Sequence, residues 1–145
     1  MATEENKAIS RRILDELWNK GNLDIIDELF ASDYVNHNAP PGLTPDREGF
    51  RQFVTMYRSA FPDVQMTIVD QIAEGDKVAD RFIAQGTHTG ELMGIPPTGK
   101  RSTVTGIIIG RYAGGKTVEV WSEFDQLGML QQLGVVPTPG QAGAE

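Results

Sequence analysis

The segment VEVWSEFDQLGMLQQLG, residues 118–134, contains the carboxylate with the clearest chemical potential, Asp125. Hydrophobic and polar residues alternate before Asp125, which is typical of a strand, and the leucines after it recur at helical spacing. If the strand lines an apolar pocket, with Trp121 and Glu123 on the same face as Asp125, those surroundings would let the carboxyl exchange protons near neutral pH. Asp125 could instead accept hydrogen bonds from the first N–H groups of helix 126–133 as an N-cap. The sequence leaves both roles open.

Two further residues are candidates for proton transfer or charge stabilisation. His88, in QGTHTGEL, lies at the end of a strand pattern, and histidine suits general acid–base work near neutral pH; it could equally fix the turn that follows. Arg111 could bind a substrate oxygen, or it could pair with Glu119 or Glu123 on neighbouring positions. We therefore predict Asp125, His88 and Arg111 as catalytic residues, with a structural role as the alternative for each.

Aromatic side chains and one polar loop supply candidate binding residues. The loop YVNHNAP could orient a ligand or simply anchor itself through its asparagines and histidine. Aromatic rings provide the surface of a hydrophobic pocket, although core packing would explain most of them equally well. The predicted substrate-binding residues are Trp18, Asn36, His37, Phe53, Tyr57, Phe61 and Trp121.

Composition restricts the possible partners. The chain has 145 residues, 39% of them hydrophobic, which is enough for one domain with a substantial core. Its formal net charge of -7 repels nucleic-acid phosphates and anionic membranes, so we expect neither as a partner. The start MATEENKAIS is too polar for a signal sequence, and no apolar run reaches the roughly 20 residues of a membrane span. We expect a cytoplasmic protein.

The sequence lacks the usual motifs for cofactors and metals. It has no cysteine, and its two histidines, His37 and His88, do not have the spacing of metal ligands. It also lacks a phosphate-binding loop, a GxGxxG segment after a strand and a GxSxG nucleophile motif. These absences favour acid–base chemistry on a small molecule, without a cofactor and without a metal.

Hydrophobic periodicity predicts two helices in the first part of the chain. The first covers residues 4–20, with Thr3 as its N-cap and a glycine directly after it as the stop signal. The second covers residues 23–30 and ends at the polar break formed by Ser32 and Asp33.

A third helix and a series of strands complete the predicted elements. Thr44 is the predicted N-cap of the third helix, Pro45 occupies its first position, and the helix ends before Pro62. About four long strands follow, and they are separated by glycine-containing segments at 75–76, 90–100 and 114–115.

Helices first and strands afterwards indicate an α+β fold in which an antiparallel sheet carries helices on one face. If strongly curved, such a sheet closes a cone-shaped pocket against the helices. We predict a single domain over residues 1–137 and a mobile tail over 138–145, which is rich in proline and glycine.

Several motifs, in order along nearly the whole chain, resemble the SnoaL-like polyketide cyclase (ester cyclase) family. The family belongs to the nuclear-transport-factor-2-like superfamily, and the resemblance implies its cone-shaped, cystatin-like α+β fold. The motifs are WNKGNLD (18–24), YVNH (34–37), FPD (61–63), AEGDKV (73–78), GTHTGELMGIPPTGK (86–100) and VEVWSEFDQLGMLQQLG (118–134).

For function, the resemblance implies an intramolecular aldol condensation that closes a ring of an aromatic polyketide methyl ester without metal or cofactor. Asp125 looks like the family's general acid–base aspartate at the end of the last strand. A cyclase of this family has a histidine at about the position of Arg111, and arginine does not exchange protons near neutral pH.

Other functions remain possible on the sequence alone, because this fold carries many activities. An isomerase or an epoxide hydrolase could use the same pocket. The hydrolase would need a set such as Asp80, Arg81 and Asp125, but adjacent strand residues point to opposite faces. A non-catalytic binding module is the third possibility. We also expect a homodimer, because Ile107 and Ile109 alternate with Ile108 and make both faces of one strand apolar.

Overall fold

A computed structural model describes residues 2–137 and has the predicted α+β architecture, with four α-helices and five strands in this range. The predicted tail at 138–145 lies outside the described residues. The helices are α1 (Ala2–Arg12), which continues as a π-helical segment (Ile13–Asn19), α2 (Asp24–Leu29), α3 (Arg47–Ala60) and α4 (Gln126–Gln132). The strands are β1 (Phe30–Asn36), β2 (Gln65–Glu74), β3 (Lys77–Thr87), β4 (Arg101–Ala113) and β5 (Lys116–Phe124).

The strands form one sheet in the order β1-β5-β4-β3-β2. Neighbours from β2 to β5 pair antiparallel, as predicted, whereas β1 pairs parallel with β5. The turns at 75–76 and 114–115 join β2 to β3 and β4 to β5 where the glycines predicted them. Helices α1 and α3 lie against the inner face of the sheet, so the predicted arrangement of helices on a curved sheet is confirmed.

The strand β1 was not predicted, and the polar break expected at Ser32 and Asp33 lies inside it. Polar residues fit here because β1 is at the edge of the sheet and both side chains are exposed. Its pairing with β5 is irregular between Phe30 and Val35, so the strand gives little of the strict alternation that a sequence pattern can reveal.

Two predicted helix caps were wrong. Thr3 lies within α1, which already begins at Ala2. At the start of α3, Asp46 is the N-cap in place of Thr44, because the Asp46 carboxylate accepts a hydrogen bond of 3.0 Å from the Gly49 N–H. The Thr44 hydroxyl donates to Asp46 over 2.6 Å and so supports the cap without forming it.

Glycines on the inner face of β4 make room for aromatic rings. Gly106 pairs directly with Phe82 on β3, and a Cβ atom at this glycine would lie 2.5 Å from the ring. A Cβ at Gly110 would lie 3.0 Å from the ring and hydroxyl of Tyr112. The rings therefore lie over the sheet where β4 has no side chains, and they form part of the surface that faces the helices.

No helix within residues 2–137 is long and apolar enough to cross a membrane.

Candidate active site

A cavity of about 540 Å³ lies between the helices and the inner face of the sheet. Among the predicted binding residues, Trp18, Asn36, Phe53, Tyr57 and Phe61 line it. Its rim includes exposed residues from two loops, one before α3 and one between β3 and β4, and from α4, and its opposite end is formed by buried residues near the two hairpin turns. The arrangement can enclose most of a hydrophobic small molecule.

Helix α3 builds one wall of the cavity by placing aromatic side chains at helical spacing. The ring centroids of Phe53 and Tyr57 are 4.9 Å apart, and the Trp18 ring meets Phe53 edge-on at 5.9 Å. On the sheet side, the Phe124 ring meets Tyr57 edge-on at 6.2 Å. Burial raises the pKa of Tyr57 to about 12, so its hydroxyl keeps its proton at neutral pH and can donate a hydrogen bond.

Asp125 forms the N-cap of α4 in this structure. Its Oδ1 accepts a hydrogen bond of 2.9 Å from the Gly128 N–H, and its side chain is exposed. The carboxylate does not line the cavity, although the residues on either side of it, Phe124 and Gln126, both do. The geometry therefore gives Asp125 the capping role and places it at the cavity rim.

His88 is fully buried and lies outside the cavity lining. Its Nδ1 accepts a hydrogen bond of 3.2 Å from the Thr98 N–H and lies 3.1 Å from the Thr98 hydroxyl. These bonds close the loop between β3 and β4, which matches the turn-fixing alternative. Because Nδ1 is an acceptor, the proton of the neutral ring is on Nε2, which has no partner among the described residues.

Arg111, His37 and Trp121 lie together on the outer face of the sheet, away from the cavity. Arg111 and His37 both bond to Glu119, the latter through Nε2 at 2.7 Å, and the His37 ring stacks on Trp121 at 4.7 Å. These contacts lower the pKa of Glu119, with His37 as the largest cause. A bulge at Val118 shifts the alternation of β5, and after it Glu119 and Trp121 point outward.

Asp80, which the sequence suggested only as part of an epoxide-hydrolase set, is a buried carboxyl group behind the cavity. The Ser10 hydroxyl donates a hydrogen bond to Asp80 Oδ2, and Ser10 itself lines the cavity. Burial raises the pKa of Asp80, and the hydrogen bond from Ser10 and the neighbouring Gln71 side chain oppose this change. The signal was present in the alternation of β3, which puts Asp80 on the same face as Val78 and Phe82.

The part of the chain that the structure describes contains no group of three metal-ligating side chains. Among the described residues that line the cavity, Glu123 is the only one with a carboxylate or a cationic side chain.

Comparison with known proteins places these features in a family. The family model of the SnoaL-like polyketide cyclases matches residues 8–133. The nogalonic acid methyl ester cyclase of Streptomyces nogalater is 31% identical over 130 residues, which cover 87% of this chain and 95% of that cyclase.

Two solved structures from Streptomyces have the same fold. TsrD of Streptomyces laurentii aligns with a TM-score of 0.83 and 28% identity over 92% of this chain and 97% of TsrD. IdmH of Streptomyces antibioticus has a TM-score of 0.74 and 41% identity, and the alignment covers 88% of this chain and 99% of IdmH. All the described cavity residues, from Ser10 to Met129, fall within the match to the family model. The chain belongs to the SnoaL-like polyketide cyclase family.

Proposed function

We propose that this protein closes a ring in a hydrophobic, carbonyl-bearing small molecule by an intramolecular aldol-type condensation, without a cofactor. The observation that carries the proposal is the aromatic-walled cavity of about 540 Å³ in a chain of this family. That volume is within the range of small-molecule sites, and its apolar wall suits a substrate of fused rings.

In the proposed reaction, a base removes a proton from the carbon next to one carbonyl, and the resulting enolate attacks a second carbonyl of the same molecule. A new carbon–carbon bond forms, and the alkoxide takes a proton to become a hydroxyl. The apolar wall excludes water from the enolate, and the protonated Tyr57 hydroxyl is placed to donate a hydrogen bond to its oxygen.

We propose Asp125 as the proton carrier, because it follows β5 directly and both of its sequence neighbours line the cavity. Its Oδ1 is held by the Gly128 N–H, which leaves Oδ2 as the oxygen that would take the proton. The proposed step therefore uses one oxygen of the carboxylate for the cap and the other for the chemistry. In this proposal, His88 keeps the loop between β3 and β4 in place, and Arg111 stays on the outer face.

The first test is turnover of nogalonic acid methyl ester, the compound named for the Streptomyces nogalater relative, by the wild-type protein and by Asp125→Asn. Asparagine preserves an N-cap but cannot carry the proton, so we expect a folded variant with turnover reduced at least about 100-fold. Asp46→Asn is the matched control, since Asp46 caps α3 in the same way and lies outside the cavity lining.

Each outcome of this test is informative. Unchanged turnover in Asp125→Asn would show that Asp125 is not the proton carrier, and it would still support ring closure by this protein. No turnover by the wild-type protein, together with thermal stabilisation by the ester, would contradict the proposed enzymatic function and favour a non-catalytic binding protein. An epoxide hydrolase has less support, because Arg81 points outward and bonds to Asp70 at 2.7 Å while Asp80 points inward.

We also infer a homodimer that pairs the outer face of the sheet. Ile72, Ala79, Ile109 and Trp121 are direct neighbours across β2 to β5, and Ile72 is 69% exposed. An apolar row of this kind favours association with a second copy of the chain. Sedimentation equilibrium at micromolar concentration should give the mass of two chains, and the mass of one chain would refute the dimer. The cytoplasmic location stays a prediction.

A further inference from the structure

Polar side chains from five elements meet at the buried end of the cavity, and neither the family match nor the proposed reaction assigns them a role. Each is at most 6% exposed, and all except Asp80 line the cavity. We call them the buried polar cluster; its members are Ser10 on α1, Tyr34 on β1, Asp80 on β3, Tyr112 on β4 and Thr117 on β5.

The members of the cluster lie close enough to one another to form hydrogen bonds and to influence one another's pKa values. Asp80 accepts from the Ser10 hydroxyl, and Tyr112 is close enough to Ser10, Thr117 and Asp80 for all three to influence its pKa. Burial is the largest cause for both tyrosines; it raises the pKa of Tyr112 to about 12 and that of Tyr34 further. Both phenols therefore keep their protons at neutral pH and remain hydrogen-bond donors near the buried end of the cavity.

The cluster has hydrogen-bonding capacity that the described residues do not use. Tyr34 OH, Asp80 Oδ1 and Thr117 Oγ1 are enclosed and have no partner within residues 2–137. Enclosed polar atoms in folded proteins are nearly always paired, and a ligand or an ordered water at such a site is the usual partner. Two of these unpaired hydroxyl groups belong to residues that line the cavity, Tyr34 and Thr117, so the buried end favours a polar group of a ligand over an apolar one.

The charges around the cluster disfavour an anionic group, and burial disfavours a charged group of either sign. No lysine, arginine or histidine is among the described residues that line the cavity, and the carboxyl group of Asp80 would repel an anion. A hydroxyl group both donates and accepts, so it can accept from a tyrosine hydroxyl and donate to the Ser10 oxygen. A carbonyl oxygen only accepts, and it leaves the Ser10 oxygen, whose own proton is donated to Asp80, without a donor.

We propose that the buried polar cluster is a recognition subsite for a hydroxyl group at the inner end of an otherwise hydrophobic aromatic ligand. Ser10 and Tyr112 contact the hydroxyl, and Asp80 is a positioning residue that fixes the Ser10 hydroxyl proton. This proposal rests on the proposed function, because it assumes that the cavity binds a small molecule. It adds that the part of the ligand at the buried end carries a hydroxyl group.

The test compares dissociation constants of three probes for the intact protein by titration calorimetry: 2-naphthol, naphthalene and 2-acetylnaphthalene. We expect the wild-type protein to prefer 2-naphthol over naphthalene by about tenfold, the effect of one net hydrogen bond. Ser10→Ala and Tyr112→Phe should each bring this ratio close to one. Thr105→Val, which removes an exposed hydroxyl from the outer face of β4, should leave it unchanged.

Asp80→Asn separates positioning from general support of the fold. A purely structural role would weaken the binding of naphthalene and 2-naphthol equally, whereas positioning changes their ratio and leaves naphthalene binding intact. Equal ratios in the wild-type protein and all variants would overturn the subsite, and so would a preference for 2-acetylnaphthalene. Failure of all three probes to bind the folded wild-type protein would overturn the small-molecule cavity itself, and with it the proposed function.

Discussion

An aspartate lies near each end of the cavity, and the two carboxyl groups differ in their exposure to solvent. Asp80 lies on the inner face of β3 and is 1% exposed, whereas Asp125 follows the last residue of β5 and is exposed. Thr117 lies at the buried end of the cavity and Asp125 at its rim, and the strand between them, at about 3.3 Å per residue, spans roughly 25 Å. The two aspartates differ because of burial, not because of residue type. Helix α1 shields the Asp80 carboxyl group from water, whereas the Asp125 carboxylate accepts a hydrogen bond from the first turn of α4.

The inner face of β4 is packed differently near the two ends of the cavity, and glycine substitutions on this strand should reveal the difference. At Gly106, a Cβ atom would lie 2.5 Å from the Phe82 ring and 2.9 Å from the Glu123 carbonyl oxygen, which belongs to the backbone and cannot turn away. We expect Gly106→Ala to lower the free energy of unfolding by about 2 kcal/mol. At Gly110 the nearest atoms belong to the Tyr112 side chain, at 3.0 Å, and we expect a loss of about 1 kcal/mol.

Urea unfolding of the two variants measures this difference, with Thr105→Ala on the outer face of β4 as the control. Equal losses for Gly106→Ala and Gly110→Ala would show that the inner face of β4 is packed alike at the two glycines. Displacement of Tyr112 in Gly110→Ala should also weaken 2-naphthol binding, which Gly106→Ala should not do to the same extent.

The capping role of Asp125 gives the next largest expected effect. Asp125→Ala removes the acceptor for the Gly128 N–H and should cost about 1 kcal/mol of stability, while Asp125→Asn should stay within a few tenths of a kcal/mol of the wild type. Asp46→Ala and Asp46→Asn at the start of α3 should show the same pattern. A wild-type unfolding midpoint in Asp125→Ala would mean that the cap does not form in solution, and Asp125 would then be free for chemistry alone.

The elements that could be predicted from the sequence are those whose pattern is local. The spacing of Phe53 and Tyr57 indicated both α3 and the aromatic wall, and the glycines of the turns at 75–76 and 114–115 indicated the hairpins. Strand β1 was missed because its pairing with β5 depends on residues far along the chain and its polar residues fit only at an edge.

The candidate site was harder to predict because it depends on which face each residue occupies. The bulge at Val118 reverses the alternation of β5, so Trp121 points outward, and no sequence pattern reveals where a bulge occurs. The burial of Asp80 depends on Ser10, which is 70 positions earlier and comes from a helix that crosses β3. Aromatic positions could be predicted from helical spacing, whereas the polar cluster required the three-dimensional contacts.

The smallest expected effect compares Asp80 with Glu119, the carboxylate on the outer face, through the pH dependence of stability. Burial raises the pKa of Asp80 above its ordinary 3.8, so the stability that it contributes is present at low pH and is lost as the pH rises through the raised pKa. The bonds from His37 and Arg111 lower the pKa of Glu119 below its ordinary 4.5. Its contribution is therefore present above that value and is lost as the pH falls through the lowered pKa.

Unfolding free energies measured from about pH 3 to about pH 7 should consequently move in opposite directions for two isosteric variants. Relative to the wild type, Asp80→Asn should become more stable as the pH rises, because the wild-type protein must then either keep a proton on Asp80 or bury its charge. Glu119→Gln should become relatively less stable over the same range, because only the ionised glutamate gains from His37 and Arg111. If both differences move in the same direction, burial does not separate these two carboxyl groups, and the case for an unusual environment at the inner end of the cavity fails with it.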